Sequence, residues 1–354
     1  MPPRKKEPLS AASAAAKSTT HKAEEGARKL HQKSITRVER IPPAVRFILV
    51  VLSSLIMSST LFTLTSRATL GELGRVSKHL EEWWEVAGLM AWKAVEVGLA
   101  WILGFDGRDV TSFIFLTHLP TYALLASFYN VRPTSILLAY TITLVTTSLP
   151  FVLLRHPSAV HGDLAHSSIV NRAILQDRLT TIYTTVAATS IFTTVLYLSY
   201  ATFLPTRLVL HFHDIPDITA VHAGPEGLPI LFLALLPAGC AARDFLFVSS
   251  AGSAAASRTA EDDTAGASPA EREGEYLACA VYRKTWGRLP PKTKVLAGRT
   301  LVLAAVLLLN TVVQVAGTVD GVDIEGAAAW GGVWAVGTVV VGTLFGWIEG
   351  VDGM

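Results

Sequence analysis

The run Val45–Thr65 (VRFILVVLSSLIMSSTLFTLT) carries no charge beyond Arg46, and the next charged residue is Arg67. As a helix it rises about 30 Å, the thickness of a bilayer's hydrocarbon core. Lipid offers no hydrogen bonds, so a crossing backbone must satisfy itself as a helix or a closed barrel. The run is about twice the length of a barrel strand and lacks period-two alternation, so it reads as a helix. Comparable runs follow at Val110–Tyr129, Thr134–Leu154, Leu179–Leu204, Leu228–Val248, Arg299–Thr318 and Ala327–Ile348. The expected fold is an all-α polytopic transmembrane bundle.

One further segment, Glu85–Phe105, has spanning length but holds Lys93 and Glu96 near its middle. Each would cost about 2.5–3.5 kcal/mol at the centre of an isolated span. At i and i+3 they share a helix face and can neutralise each other. Loop charge favours a crossing here. With eight spans and both termini cytosolic, 24 Lys/Arg lie on the cytosolic side and five opposite, with Lys93 inside the membrane. Without this crossing every later loop flips, and the split becomes 13 inside against 17 outside. The positive-inside rule selects the first arrangement.

Only 16% of the chain is charged, against roughly 25% in soluble domains, so no separate soluble domain of ordinary size is expected. Residues 1–46 hold eleven Lys/Arg and four acids and read as a largely disordered cytosolic tail drawn to anionic lipid headgroups. Residues 47–248 form spans one to six. Within them Leu70, Leu73, Val76, Leu80 and Trp83 predict a helix near 68–84 lying in the membrane interface. Residues 249–294 read as a largely disordered cytosolic loop rich in Ser, Ala, Gly and mixed charge. Residues 295–354 complete the bundle with spans seven and eight. Two cysteines, Cys240 and Cys279, make neither a disulfide framework nor a zinc pattern. The endoplasmic reticulum or plasma membrane is the expected location; acids in the tail weigh against a mitochondrial presequence.

Several polar groups are candidates for chemistry. His211, His213, Asp214, Asp217 and His222 form the densest group, with the residue types of a zinc or divalent-ion site. A sparser group is His156, His161, Asp163 and His166. An irregular membrane-edge loop collects such residues without a metal, and that reading is favoured for both; no cofactor is expected. Lys93 and Glu96, with His118, Asn310 and Gln314 on other spans, are intramembrane polar residues and so functional candidates. A structural ion pair and interhelical hydrogen bonding are the favoured alternative. Threonines through the fifth span suit back-bonding to carbonyls four residues earlier. In the last span Gly331, Ala335, Gly342, Gly346 and Gly350 permit close helix approach, within the bundle or in a homo- or hetero-oligomer. No GxSxG elbow, P-loop or HExxH is present.

The stretches LVLHFHDIPD (Leu208–Asp217), KTKV (Lys292–Val295), Arg299-Thr300, Asn310-Thr311 and GVDIEGAAAWGGVW (Gly321–Trp334) resemble an uncharacterised family of multi-span membrane proteins of filamentous fungi. The resemblance implies a membrane protein and transfers no functional residues. Three functions stay open. A non-catalytic membrane scaffold fits best. A small-solute or ion transporter would use Lys93 and Glu96, and a lipid-modifying metalloenzyme would use the His211/His213 loop. An enzyme is the less favoured class, and nucleic acid is not an expected partner.

Overall fold

A computed structural model describes residues 41–155, 177–213, 215–222, 224–250 and 290–351; of helical residues 66–71, 291 and 351 it describes the backbone alone. The helices are α1 (Pro43–Val76), α2 (Trp83–Ile102), α3 (Gly107–Phe128), α4 (Pro133–Leu154), α5 (Arg178–Ala201), the short α6 (Leu204–His211), α7 (Leu228–Ala242), α8 (Pro291–Thr318) and α9 (Ile324–Val351). A π-helical turn, Arg243–Val248, extends α7. Among the described residues the only β pairing is two isolated bridges, Ser77 with Val319 and Phe212 with Val322.

Seven helices among the described residues are long and apolar enough to cross a membrane. Besides the short α6, the helix not among them is α2, because every 18-residue window in it includes Glu85, Lys93 and Glu96. It nonetheless runs the length of the bundle. At its start Glu85 pairs with Lys78, whose backbone N–H donates to Thr318 at the end of α8. At its end the Trp101 carbonyl accepts from Arg155, just beyond α4.

Successive long helices alternate direction, so their ends gather at two faces. At the first face lie the starts of α1, α3 and α8 and the ends of α2, α4, the π turn and α9, joined by contacts such as Arg299 to Asp109 and Ser250 to Glu349. At the second face, Asp217 N–H reaches the Phe128 carbonyl and Glu72 accepts from Arg132. α3 sits centrally, against α4, α7 and α8; α9 packs on α8 and α5, and α1 lies outside against α4. Buried aromatic side chains fill the centre, including Phe113, Phe128, Phe245 and Trp330.

Three expectations need adjustment. The separate interfacial helix near 68–84 is absent: residues through Val76 continue α1, and 77–82 are non-helical. The hydrophobic period remains in phase with the span, so nothing local stops the helix. It ends where Ser77 pairs with Val319 and the Val76 carbonyl accepts from Asp320. Next, α1 starts at Pro43, four residues inside the expected tail, and α8 starts at Pro291, inside the expected loop. In both, proline near the first turn has the backbone angle a helix start needs and lacks an N–H that would go unpaired anyway. The remainder of the tail and most of the loop lie outside the described residues.

Candidate functional site

The interior polar group is built from α2, α3 and α8. Glu96 is 1% exposed. Its Oε2 accepts from Lys93 Nζ at 2.9 Å, and its Oε1 lies 2.9 Å from His118 Nε2 and 3.4 Å from Thr117 Oγ1. The i,i+3 spacing on α2 puts Lys93 over the carboxylate, while consecutive α3 residues supply the other two partners. A carboxylate accepts only, so its bond to His118 requires a proton on Nε2.

A second set of bonds ties the same three helices together. Trp92 Nε1 donates to Asn310 Oδ1 at 2.9 Å, and Asn310 Nδ2 donates to the Thr117 carbonyl at 2.9 Å. Pro120 has no N–H to give the Leu116 carbonyl, which loosens α3 here. Its own carbonyl accepts Trp330 Nε1 at 2.8 Å. Thus Lys93, Glu96, His118 and Asn310 converge at one depth, whereas Gln314 stands one turn further along α8 and is only half-buried. A groove of about 410 Å³ lies elsewhere, between α3 and α7, and is lined by residues including Phe115, Leu236 and Cys240.

Toward the first face lies a pair that sequence reasoning missed. Arg299 holds Asp109 by two bonds, Nη1 to Oδ1 at 3.1 Å and Nη2 to Oδ2 at 2.9 Å. Ser249 Oγ donates to the same Oδ1 at 2.8 Å, and Arg299 Nη1 also donates to the Phe245 carbonyl at 3.0 Å. The guanidinium lies 5.0 Å from the ring centres of both Phe105 and Phe245. Local sequence explains each part. Asp106 caps α3 by accepting the Asp109 N–H, and the wide π turn presents the Phe245 carbonyl sideways. The missed signal was a lone basic residue at the start of an apolar span opposite an Asp in the first turn of another.

The second-face histidines are spread along the chain's return across α8 and α9. His211 Nδ1 lies 3.7 Å from Asp323 and its Nε2 3.7 Å from Glu325, while His213 Nε2 is 4.0 Å from Asp323. Backbone bonds set this arrangement: His213 N–H donates to Gly321 and Asp323 N–H to His211. Asp217 accepts the Thr219 N–H at 2.8 Å, which holds its carboxyl below the ordinary aspartate range. His222 ends a short 3-10 turn. Among the described residues no three His, Cys, Asp or Glu gather as a metal-holding group. Asp214 and the cluster of His156, His161, Asp163 and His166 lie outside the described residues.

The small residues of α9 meet neighbours inside the chain. A Cβ on Gly342 would stand 2.4 Å from Thr300, and one on Gly331 would be 3.0 Å from Thr311, so α8 and α9 touch nearly backbone to backbone there. Gly346 faces Leu296 at ordinary contact distance, while Gly350 has open space around it. Ala335 is half-buried against the core.

Residues 177–313 match the family model of the bouquet formation protein 3 C-terminal domain, a fungal family with no assigned molecular function. The match covers a little over a third of the chain, from the cap of α5 into α8. It includes Arg299 and Asn310 but not their partners Asp109, Trp92 and Thr117. No curated protein matches the chain, and no solved structure does. The C-terminal part of this membrane-type helical chain is therefore similar to the bouquet formation protein 3 C-terminal domain.

Proposed function

We propose that this chain is a non-catalytic scaffold of a fungal membrane, serving the bouquet formation named in the family its C-terminal part matches. It crosses the bilayer eight times, with α2 as the second crossing and both termini in the cytosol. The membrane is the endoplasmic reticulum or the plasma membrane, and the basic tail lies against anionic headgroups. One observation carries the non-catalytic reading: the ionisable groups at mid-depth bond to one another. Glu96 has Lys93, His118 and Thr117 around a nearly inaccessible carboxylate. Intramembrane ionisable residues are functional by default, but a transport site must exchange its partners for a solute. Here Lys93 offsets the carboxylate's charge from the same helix, while His118 and Thr117 tie α3 to α2.

The test is complementation in cells lacking the chain. The double variant Lys93→Met, Glu96→Gln removes both charges and preserves side-chain size and the His118 contact. A scaffold keeps full bouquet formation with this variant at normal abundance. Loss of function at normal abundance and location would instead make the pair a working site and overturn the reading.

A further inference from the structure

At the first face, three helix ends enclose two arginines that have no assigned task. Arg46 lies in the opening turns of α1, and its Nε is enclosed with no hydrogen-bond partner. Among the described residues it forms no ion pair. The next residue, Phe47, packs on Trp101 at the end of α2, with ring centres 6.1 Å apart, and Trp101 packs on Phe151 of α4 at the same distance. Arg155, which caps α4, is held over this aromatic platform. Its Nη1 donates to the Trp101 carbonyl at 2.9 Å, and its guanidinium carbon stands 4.9 Å from the indole centre. Gly104, at φ +80°, turns the chain away from α2 past the Arg155 Nη2 atom.

The positive charge of this corner is only partly offset. Burial pushes the Arg155 guanidinium below its ordinary value; Asp106 opposes this more than the like charge of Arg46 adds to it, and Asp109 acts weakly with Asp106. Asp109 is paired with Arg299 and Ser249, so Asp106 at the cap of α3 is the carboxylate that acts most on Arg155. Two guanidinium groups of like charge on one aromatic platform, Arg46 with an unbonded donor and no ion pair among the described residues, favour an anion beside them. Planar guanidinium forks match phosphate oxygens. An aromatic platform at the ends of three spans belongs at headgroup depth.

We propose that Arg46 and Arg155 bind the phosphate of an anionic membrane lipid at the face where α1 begins. The site rests on the membrane-spanning reading, which puts both arginines at one bilayer surface. It is independent of whether the chain acts as a scaffold or a carrier.

The experiment uses the full chain in detergent micelles, with bound lipid counted by native mass spectrometry. The probes are phosphatidic acid, phosphatidylcholine and inorganic phosphate. Wild type is expected to prefer phosphatidic acid over phosphatidylcholine by roughly 10–30-fold, the effect of two basic side chains at an anionic surface. Arg46→Gln with Arg155→Gln brings the two lipids to near parity. Arg46→Gln alone weakens the preference several-fold, and it is the decisive variant if the double variant does not fold, because Arg46 supports no neighbour by hydrogen bonding. Changing Arg4, Lys5, Lys6, Lys17 and Lys22 to Gln leaves the preference in place. A preference that survives loss of Arg46 and Arg155, or that vanishes with the five tail substitutions alone, overturns the proposal. So does inorganic phosphate that competes as well as the lipid, since the site would then hold a free anion. Thiol labelling of engineered cysteines at the two faces, done separately, reports failure of the spanning reading itself.

Discussion

Arg299 and Asp109 meet through two parallel hydrogen bonds although 190 residues separate them in the chain. The pair joins the start of α8 to the start of α3, and Ser249 adds the end of the π turn to the same carboxylate. Asp109 is 3% exposed, so loss of one partner leaves a charge in a poorly solvated place. Asp109→Ala is expected to destabilise the chain by about 3–5 kcal/mol, read as a lower melting midpoint in detergent. Arg299→Lys keeps the charge but loses the fork and the stacking between Phe105 and Phe245, so it should be clearly destabilising too. Wild-type melting in both variants would show that the pair carries no structural weight.

The same pair bears on the family-matched region. Residues 177–313 contain Arg299 and Asn310 and lack Asp109, Thr117 and Trp92. A fragment limited to 177–351 should therefore be far more protease-sensitive than the full chain. Co-expression with residues 41–155 should restore protection, because the missing partners all lie there. A fragment as resistant alone as with its complement would make the matched region an independent unit.

Asn310 is fully buried and bridges Trp92 to the Thr117 carbonyl. Interhelical hydrogen bonds in membranes are worth about 0.6 kcal/mol each on average. Asn310→Leu is thus expected to cost only about 1–2 kcal/mol, much less than Asp109→Ala. Measuring both variants in the same detergent compares a neutral bridge with an ionic one directly.

The contrast between these sites explains what was legible. Local rules were readable: Thr189 and Thr193 donate to carbonyls four residues back, and Lys93 meets Glu96 one turn away. Spanning runs follow from length and apolarity alone. Partners on other helices leave no such trace, because a membrane bundle's neighbours are not set by its chain order. His118 and Asn310 were visible as polar residues in apolar runs, but their joining to Glu96 and Thr117 depends on how α2, α3 and α8 rotate. Asp109 sat just before the apolar run that begins at Val110, and nothing nearby points to Arg299. The end of α1 was equally hidden, since it is set by pairing with residues near Val319.

Gly342 and Gly350 separate packing inside the chain from packing outside it. A side chain at Gly342 collides with Thr300, whereas Gly350 meets nothing within 4 Å. Gly342→Val is expected to destabilise the monomer by about 1–3 kcal/mol or more through overpacking. Gly350→Val should leave monomer melting unchanged. If Gly350→Val changes the oligomeric state on size-exclusion chromatography while melting stays constant, the end of α9 packs against another chain.

Asp177 caps α5, accepting from the Thr180 side chain and from the Thr180 and Leu179 N–H groups. Those bonds, the Thr180 side chain foremost, hold its carboxyl below the ordinary aspartate value. The folded value is the lower one, so the cap stabilises above the unfolded pKa of about 3.9 and is lost as pH falls through the folded value. Hydrogen exchange at 178–181 should accelerate in acid beyond its intrinsic pH dependence. Asp177→Asn retains an accepting oxygen and should flatten that dependence, which an acid response unchanged by the substitution would contradict.

The direction of α2 is the prediction with the widest reach, because every later loop takes its side of the membrane from it. Its two ends lie at opposite faces of the bundle: Lys78 and Glu85 at one, and Trp101 with Arg155 at the other. Three charges count against it on composition, but two of them, Lys93 and Glu96, cancel in a 2.9 Å contact, and His118 adds a third partner. The insertion penalty of about 2.5–3.5 kcal/mol for each charge applies to an isolated helix, and α2 is not isolated. In a chain lacking Cys240 and Cys279, cysteines are placed singly at His79 and Leu103, both exposed. A membrane-impermeant thiol reagent applied from the cytosolic side should label Leu103→Cys and leave His79→Cys unmodified until the membrane is opened. Labelling of both from one side would return α2 to the interface, make seven the number of crossings and put the C-terminus opposite the N-terminus.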